Sequence, residues 1–136
     1  MIIVFIPGVW DLLHIGHIKA LTRAKKFGDI LIVGVETDEA VKKGKNSYPV
    51  IPLKDRIAAL EALEVVDLAV PYEYRDYFSV VENFSIDVIC LCEDYKNEPR
   101  FYKSINFIKK RNGRIIYLPY YDNISSSRIK EKIKNE

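Results

Sequence analysis

The only two histidines of this 136-residue chain stand three positions apart in the stretch Gly8-Val9-Trp10-Asp11-Leu12-Leu13-His14-Ile15-Gly16-His17. An apolar run at residues 2–6 leads directly into it. A helix starting at about Gly16 puts His14 at its mouth and His17 in its first turn, so both imidazoles face whatever lies over the helix N-terminus. That end attracts anions, because its first N–H groups are unpaired and carry partial positive charge. Gly8 and Gly16 have no side chain, which lets a bulky ligand approach the backbone. Asp11 is a lone acid that would either coordinate a magnesium ion or orient a neighbouring group. Magnesium keeps several waters and is held largely by substrate phosphates, so no dedicated acid cluster is required of the protein.

Three further stretches carry chemistry. Lys42-Lys43-Gly44-Lys45 reads as a basic loop, either merely solvated or reaching across strand ends to phosphates. Ser125, Ser126 and Ser127 supply capping hydroxyls for a terminal helix, and such a start aims N–H and O–H donors at an anion. Arg128 adds charge there or lies on the solvent face. Cys90 and Cys92 point to one face of a strand without disulfide geometry and read as free thiols. With the two histidines they make poor ligand spacing for zinc.

The elements that must position these groups alternate between strand and helix patterns. Strands are expected at 2–6, 29–35, 66–70, 88–91 and 114–118. Helices are expected at 17–27, from Pro52 through Leu63, at 77–84, at 99–110, and after Ser125 with Ile129 and Ile133 as an apolar stripe. Strands apolar throughout and separated by helices predict an α/β fold: one domain spanning 1–136, a doubly wound parallel sheet of about five strands with helices on both faces. Ligands in such sheets bind at the carboxyl ends of the strands, where all the polar stretches fall. A formal charge of +2 with well mixed signs gives no strong field for nucleic acid. The run at 2–6 is too short for a membrane span and lacks a basic leader. The expectation is a cytoplasmic protein without nucleic-acid or membrane partners.

With its H-x-G-H segment at His14, Gly16 and His17, the chain resembles the nucleotidyltransferase superfamily. That superfamily includes glycerol-3-phosphate cytidylyltransferases, heptose-phosphate adenylyltransferases and, more remotely, the class I aminoacyl-tRNA synthetases. The resemblance extends through Thr37-Asp38, 52–56, Val65-Val66-Asp67, Ile86-Asp87-Val88 and Tyr117-Leu118-Pro119. It implies a Rossmann-like fold, a homodimer, Mg2+, and CTP or ATP as co-substrate. The implied reaction moves a nucleoside monophosphate onto a phosphorylated alcohol or sugar and releases pyrophosphate. Such transfer needs positive charge and positioning rather than a protein nucleophile.

By the same resemblance His14, His17 and Lys45 are catalytic, with Lys43 on the acceptor and Lys45 on the triphosphate. Gly8, Val9, Trp10, Asp11 and Gly16 form the first signature. Glu93, Asp94 and Tyr95 lie near base and ribose, with Cys92 where a glycine is usual. Ile124, Ser125, Ser126, Ser127 and Arg128 form the second signature. Tyr120 occupies the place of an arginine usual in cytidylyltransferases, and Tyr77 and Arg75 stand near an expected acceptor-binding lysine. The first expectation is a CTP-dependent enzyme acting on a glycerol-3-phosphate-like acceptor. The alternative is an ATP-dependent enzyme of heptose-phosphate or FMN type. An RNA-binding module using Lys109-Lys110-Arg111 is the third reading.

Overall fold

A computed structural model of the chain describes residues 1–73, 76–119 and 125–135. Its sheet has five parallel strands among the described residues: β1 (Ile3–Gly8), β2 (Ile30–Glu36), β3 (Leu68–Tyr72), β4 (Val88–Cys92) and β5 (Arg114–Leu118), in the order β3-β2-β1-β4-β5. The helices are α1 (Ile15–Lys25), α2 (Asp38–Lys45), α3 (Leu53–Glu61), α4 (Phe78–Asn83), α5 (Tyr102–Lys110) and α6 (Ser126–Asn135). The strands are apolar at successive positions because both faces are covered. Val4, Ile6, Leu31, Val33 and Val88 point to one face, against Leu21 and Ala24 of α1 and Leu60 of α3. Phe5, Ile32, Ile89 and Leu91 point to the other, against Val80 and Val81 of α4 and Ile105 and Ile108 of α5. The expected α/β class and sheet are present. No described helix is long and apolar enough to cross a membrane.

The strand order reverses between β1 and β4, and this positions the site. β1 pairs with β2 along its whole length, from Ile3↔Ile30 to Gly8↔Val35. Its ladder with β4 consists of Val4↔Val88 and Phe5↔Ile89. Beyond these pairs the two strands part, and Pro7 has no N–H to offer either neighbour. The crevice between their carboxyl ends is the place where open α/β sheets bind ligands.

The structure corrects several expectations. The lysine stretch at 42–45 is not a loop but the last turns of α2. Thr37 caps that helix by accepting the Ala40 N–H, and Asp38 and Glu39 occupy its first turn. Lys42, Lys43 and Lys45 occupy its last turn, so both ends complement the helix dipole. Ala40 and Val41 are buried, and Asn46 ends the helix in the left-handed conformation, φ 60°. The third strand lies further along than 66–70, because the Asp67 carboxylate accepts the Leu31 N–H at 2.8 Å just ahead of it. β3 is an edge strand and tolerates Pro71. The helix expected over 99–110 divides into a 3-10 turn at Pro99–Phe101 and α5. Ile129 and Ile133 do not form a core stripe. No described side chain of α6 is buried and Ile133 is 66% exposed, because the helix is fastened through the contacts of Ser126 and Lys130 with Asp11.

Candidate active site

A cavity of about 660 Å³ lies over the crevice, a size suited to a nucleotide-sized ligand. Its floor comes from Ile6, Pro7, Gly8, Cys90 and Cys92 at the ends of β1 and β4. The chain leaves β1 through a strained turn, with Trp10 at φ 61° and Leu12 at φ 49°. Left-handed backbone costs an L-residue roughly 1–2 kcal/mol. Tertiary contacts offset that cost at Trp10, which is 6% exposed and donates its indole Nε1–H to the Gly34 carbonyl at 2.9 Å. A Cβ on Gly8 would meet the indole at 2.9 Å. The missing side chain at Gly8 thus makes room for Trp10, where the sequence suggested room for a ligand.

The histidines cap α1 reciprocally. His14 is the N-cap, and its Nδ1 accepts the Gly16 N–H at 3.0 Å. His17 Nδ1 accepts the His14 N–H at 3.2 Å. The rings stack with centroids 3.9 Å apart, and His17 also packs on the Trp10 indole at 5.4 Å. Of the amides at this helix start, those of His14 and Gly16 are therefore already engaged by the imidazoles. A neutral imidazole whose Nδ1 accepts a hydrogen bond carries its proton on Nε2. Both rings line the cavity, and with Nδ1 taken by a backbone N–H the donor each has left is Nε2–H. Burial, and then the neighbouring His14 imidazole, push His17 down to about 4 despite the opposing charge of Asp11. Burial lowers His14 as well. Both rings are neutral donors at pH 7.

Asp11, 3% exposed, is a structural hub. Its carboxylate accepts the N–H groups of Val50 and Ile51 at 2.8 and 2.9 Å, and Lys130 Nζ lies 2.9 Å away. Burial alone would raise its pKa, but the two amides and the ammonium outweigh burial and hold the carboxyl below its usual range. The Asp11 carbonyl accepts the Ser126 hydroxyl. The loop after β1, the segment after α2 and the start of α6 thus meet on one residue. Both carboxylate oxygens are committed, and no group of three or more His, Cys, Asp or Glu suited to a metal stands among the described residues. Asp11 does not fit the magnesium role.

Arg56 is the residue whose importance the sequence reading missed. Fully buried in α3, it donates Nε–H to Ile51 O at 2.8 Å and Nη1–H to Val9 O and Glu36 O at 2.7 and 2.8 Å. Its Nη2 pairs with Asp38 Oδ1 at 2.6 Å. It thereby ties together the β1 loop, the end of β2, the start of α2 and the segment before α3. The signal was present: Leu53, Arg56, Ile57, Leu60 and Leu63 recur at helical spacing, so a guanidinium sits inside the apolar stripe.

Val9, Trp10, Asp11, Gly16, Lys45, Asp94, Tyr95, Ser125, Ser126 and Ser127 line the cavity together with the histidines and Gly8. Lys43, Glu93 and Arg128 do not. Ser125 Oγ accepts the Arg128 N–H as a helix cap, and Arg128 is exposed outside the cavity. Lys130 lines the cavity instead, one helical turn beyond Ser126. Lys19 and Arg23, one turn apart on α1, add two cations to the wall that sequence reasoning had not singled out. Cys90 and Cys92 are free thiols, and burial pushes the Cys90 thiol up to about 12. Arg111 is engaged by Asp87 and the Ile86 carbonyl. Arg75, Tyr120 and Ile124 lie outside the described residues.

Residues 5–132 match the cytidylyltransferase-like family. The chain is 36% identical over 132 residues to the bifunctional protein HldE of Citrifermentans bemidjiense, covering 96% of this chain and 27% of that protein. It is 34% identical over 134 residues to the bifunctional protein HldE of Yersinia pestis, covering 98% and 28%. It thus spans little more than a quarter of the length of these curated relatives. A solved structure of a lipopolysaccharide core biosynthesis protein from Thermoplasma volcanium aligns with TM-score 0.74 and 33% identity, covering 90% of this chain and 99% of the other. A pantoate-beta-alanine ligase from Francisella tularensis, 19% identical, shares the fold at TM-score 0.61 over 98% of this chain and 69% of its own. The match across nearly all of the sequence, on a sheet whose switch point carries both histidines, places this chain in the cytidylyltransferase-like family of nucleotidyltransferases.

Proposed function

We propose that this chain transfers the adenylyl group of ATP to the phosphate of a sugar phosphate and releases pyrophosphate. The observation that carries the reading is the pair of reciprocally capped, neutral histidines beside a cation-lined cavity of nucleotide size. An acceptor phosphate oxygen attacks the α-phosphorus in line. The bond from the α-phosphorus to the bridging oxygen breaks, and pyrophosphate leaves with the electron pair. A phosphate oxygen is already a nucleophile at neutral pH, so the protein supplies positioning and charge. His14 and His17 donate Nε2–H to oxygens that gain charge, Lys45 neutralises phosphate, and the start of α6 adds donors near Ser127. Magnesium supplies further charge neutralisation when it accompanies a triphosphate. The described residues offer it no cluster of their own.

The adenylyl reading is preferred over transfer from CTP to a glycerol-phosphate-like alcohol. Residues 52–56, 94–96 and 122–126 are similar to heptose-phosphate adenylyltransferases, and the relatives at 34–36% identity are HldE proteins. The 33% identical Thermoplasma protein is a lipopolysaccharide core biosynthesis protein. A cytoplasmic location and a homodimer complete the proposal. A pyrophosphate-release screen tests it, crossing ATP and CTP with heptose phosphate, glycerol 3-phosphate, phosphocholine and FMN. Release is expected from ATP with heptose phosphate. Release from CTP alone would reverse the choice of base, and salt-sensitive RNA binding without any release would favour the RNA-binding reading.

A further inference from the structure

Among the described residues, α6 is the α-helix that buries no side chain, whereas α1 to α5 each bury at least two. A helix of ten residues is marginal in water without packing on a core, and segments with few buried apolar contacts open locally at little cost. What fastens α6 converges on Asp11: the Ser126 hydroxyl donates to its carbonyl, and Lys130 Nζ lies 2.9 Å from its carboxylate. The charge of the helix is one-sided, with Arg128, Lys130, Lys132 and Lys134 against Glu131. Lys132 and Lys134 suit the negative end of the helix dipole, but the first turn holds no acid and carries Arg128 at the positive end. In α2, which buries Ala40 and Val41, Asp38 and Glu39 occupy the first turn. An anion over the start of α6 would supply what its own sequence omits, and Ser126, Ser127 and Lys130 line the cavity where that anion would lie.

We propose that α6 is a strap docked by the nucleoside triphosphate, with Lys130 and Asp11 as the positioning residues of its latch. The inference rests on the transfer reading above for its ligand. A ligand shifts a two-state element only by binding one state better than the other. Here the docked state alone holds Ser127 and Lys130 against the phosphates. The Asp11 carboxylate carries the shift further, because it also accepts the Val50 and Ile51 N–H groups at 2.8 and 2.9 Å. Val50 follows Ser47, Tyr48 and Pro49, which line the same cavity. That stretch is itself lightly packed, with Tyr48 53% and Val50 57% exposed. Docking of α6 on Asp11 is thereby coupled to a second part of the wall, and bound triphosphate sets both.

The test is amide hydrogen exchange of wild type, Lys130→Met and Lys130→Arg, with and without a saturating non-hydrolysable ATP analogue and magnesium, beside calorimetric titration of the analogue. Without nucleotide, the α6 amides of wild type should exchange at least about a hundredfold faster than those of α1, and the analogue should slow them about tenfold or more. The Val50 and Ile51 amides should slow with them. In Lys130→Met the affinity for the analogue should fall about tenfold and the response of Val50 and Ile51 should disappear, while Lys130→Arg should restore both. A lysine that merely touched phosphate would lower the affinity yet leave that response intact, and this result overturns the inference. So do α6 amides as slow as those of α1 without nucleotide. Exchange in α6 that slows with protein concentration alone also overturns it, because a second copy then holds the helix. Should Lys130→Met fail to fold, the wild-type exchange with and without analogue decides. If the analogue binds and the exchange of α6 does not change, the strap falls and the transfer reading stands. If no nucleotide binds, the transfer reading falls and the inference falls with it.

Discussion

The histidines cap a helix and, in the proposed mechanism, also donate to the phosphates, and substitution can separate these roles. Each Nδ1 accepts one backbone N–H, at 3.0 Å for His14 and 3.2 Å for His17. Loss of such a cap costs about 1 kcal/mol, or roughly 3–4 °C in a domain of this size. Loss of a donor aimed at transition-state charge costs about 10²–10³ in kcat, roughly 2.7–4 kcal/mol. Asparagine is a good N-cap, and glutamine at the third helical position completes a capping box. His14→Asn and His17→Gln should therefore melt within a few degrees of wild type yet lose at least a hundredfold in kcat at saturating substrates. His14→Ala should lose similar activity and a further 3–4 °C or so. The assay is steady-state pyrophosphate release set beside thermal unfolding of the same preparations. Turnover within threefold of wild type in both cap-preserving variants would refute the donor role and leave the histidines as caps. Activity losses that merely follow the fraction unfolded would do the same.

The folded-state pKa of His17, about 4, lies below its unfolded value near 6.5. Folding therefore opposes its protonation. Stability from this group is complete above pH 6.5, declines by about 3 kcal/mol as pH falls toward 4, and is constant below that. NMR titration should give His17 a midpoint below 5, and the urea midpoint of His17→Gln should fall less between pH 7 and 4.5 than that of wild type. A His17 midpoint near 6.5 contradicts this. Arg56→Met removes the guanidinium that holds three carbonyls and Asp38, and should cost about 3–5 kcal/mol by leaving these partners unpaired; a melting temperature within 3 °C of wild type would contradict the hub. Lys45→Ala should raise the KM for acceptor and triphosphate tenfold or more, while Lys43→Ala, outside the cavity, should change either by less than twofold. Equal effects would return both lysines to one role.

The sheet was legible because apolar runs without alternation, each followed by a helical pattern, leave few alternatives to a parallel sheet covered on both faces. The position of the histidine stretch at a carboxyl edge, beside the cavity, was legible because residue types and a preceding strand sufficed to place it there. The Lys42–Lys45 segment misled because a glycine among lysines suggests a solvated turn, whereas the Thr37 cap and the acidic first turn already favoured a helix. The contacts of Asp11 with Val50, Ile51, Ser126 and Lys130 join segments far apart in the chain, and no local pattern encodes them. They turn an acid that looked like a metal ligand into a clasp. Arg56 could have been found by asking why a charge sits in a buried stripe. The unpaired Tyr77 hydroxyl could not, because its surroundings come from segments far apart in the chain, Phe5, Tyr72 and Phe101.

The central claim is nucleotidyl transfer at the α-phosphorus of ATP, and 31P NMR of one incubation tests it most directly. ATP and a heptose phosphate carrying oxygen-18 in its phosphate are mixed with the protein and magnesium. The account predicts one equivalent of pyrophosphate for each equivalent of a new nucleotide-linked diphosphate, with the heavy oxygen bridging its two phosphorus atoms, and at least a hundredfold slower formation by His14→Asn. Release of ADP with a phosphorylated acceptor would place attack at the γ-phosphorus, and that result would contradict the account.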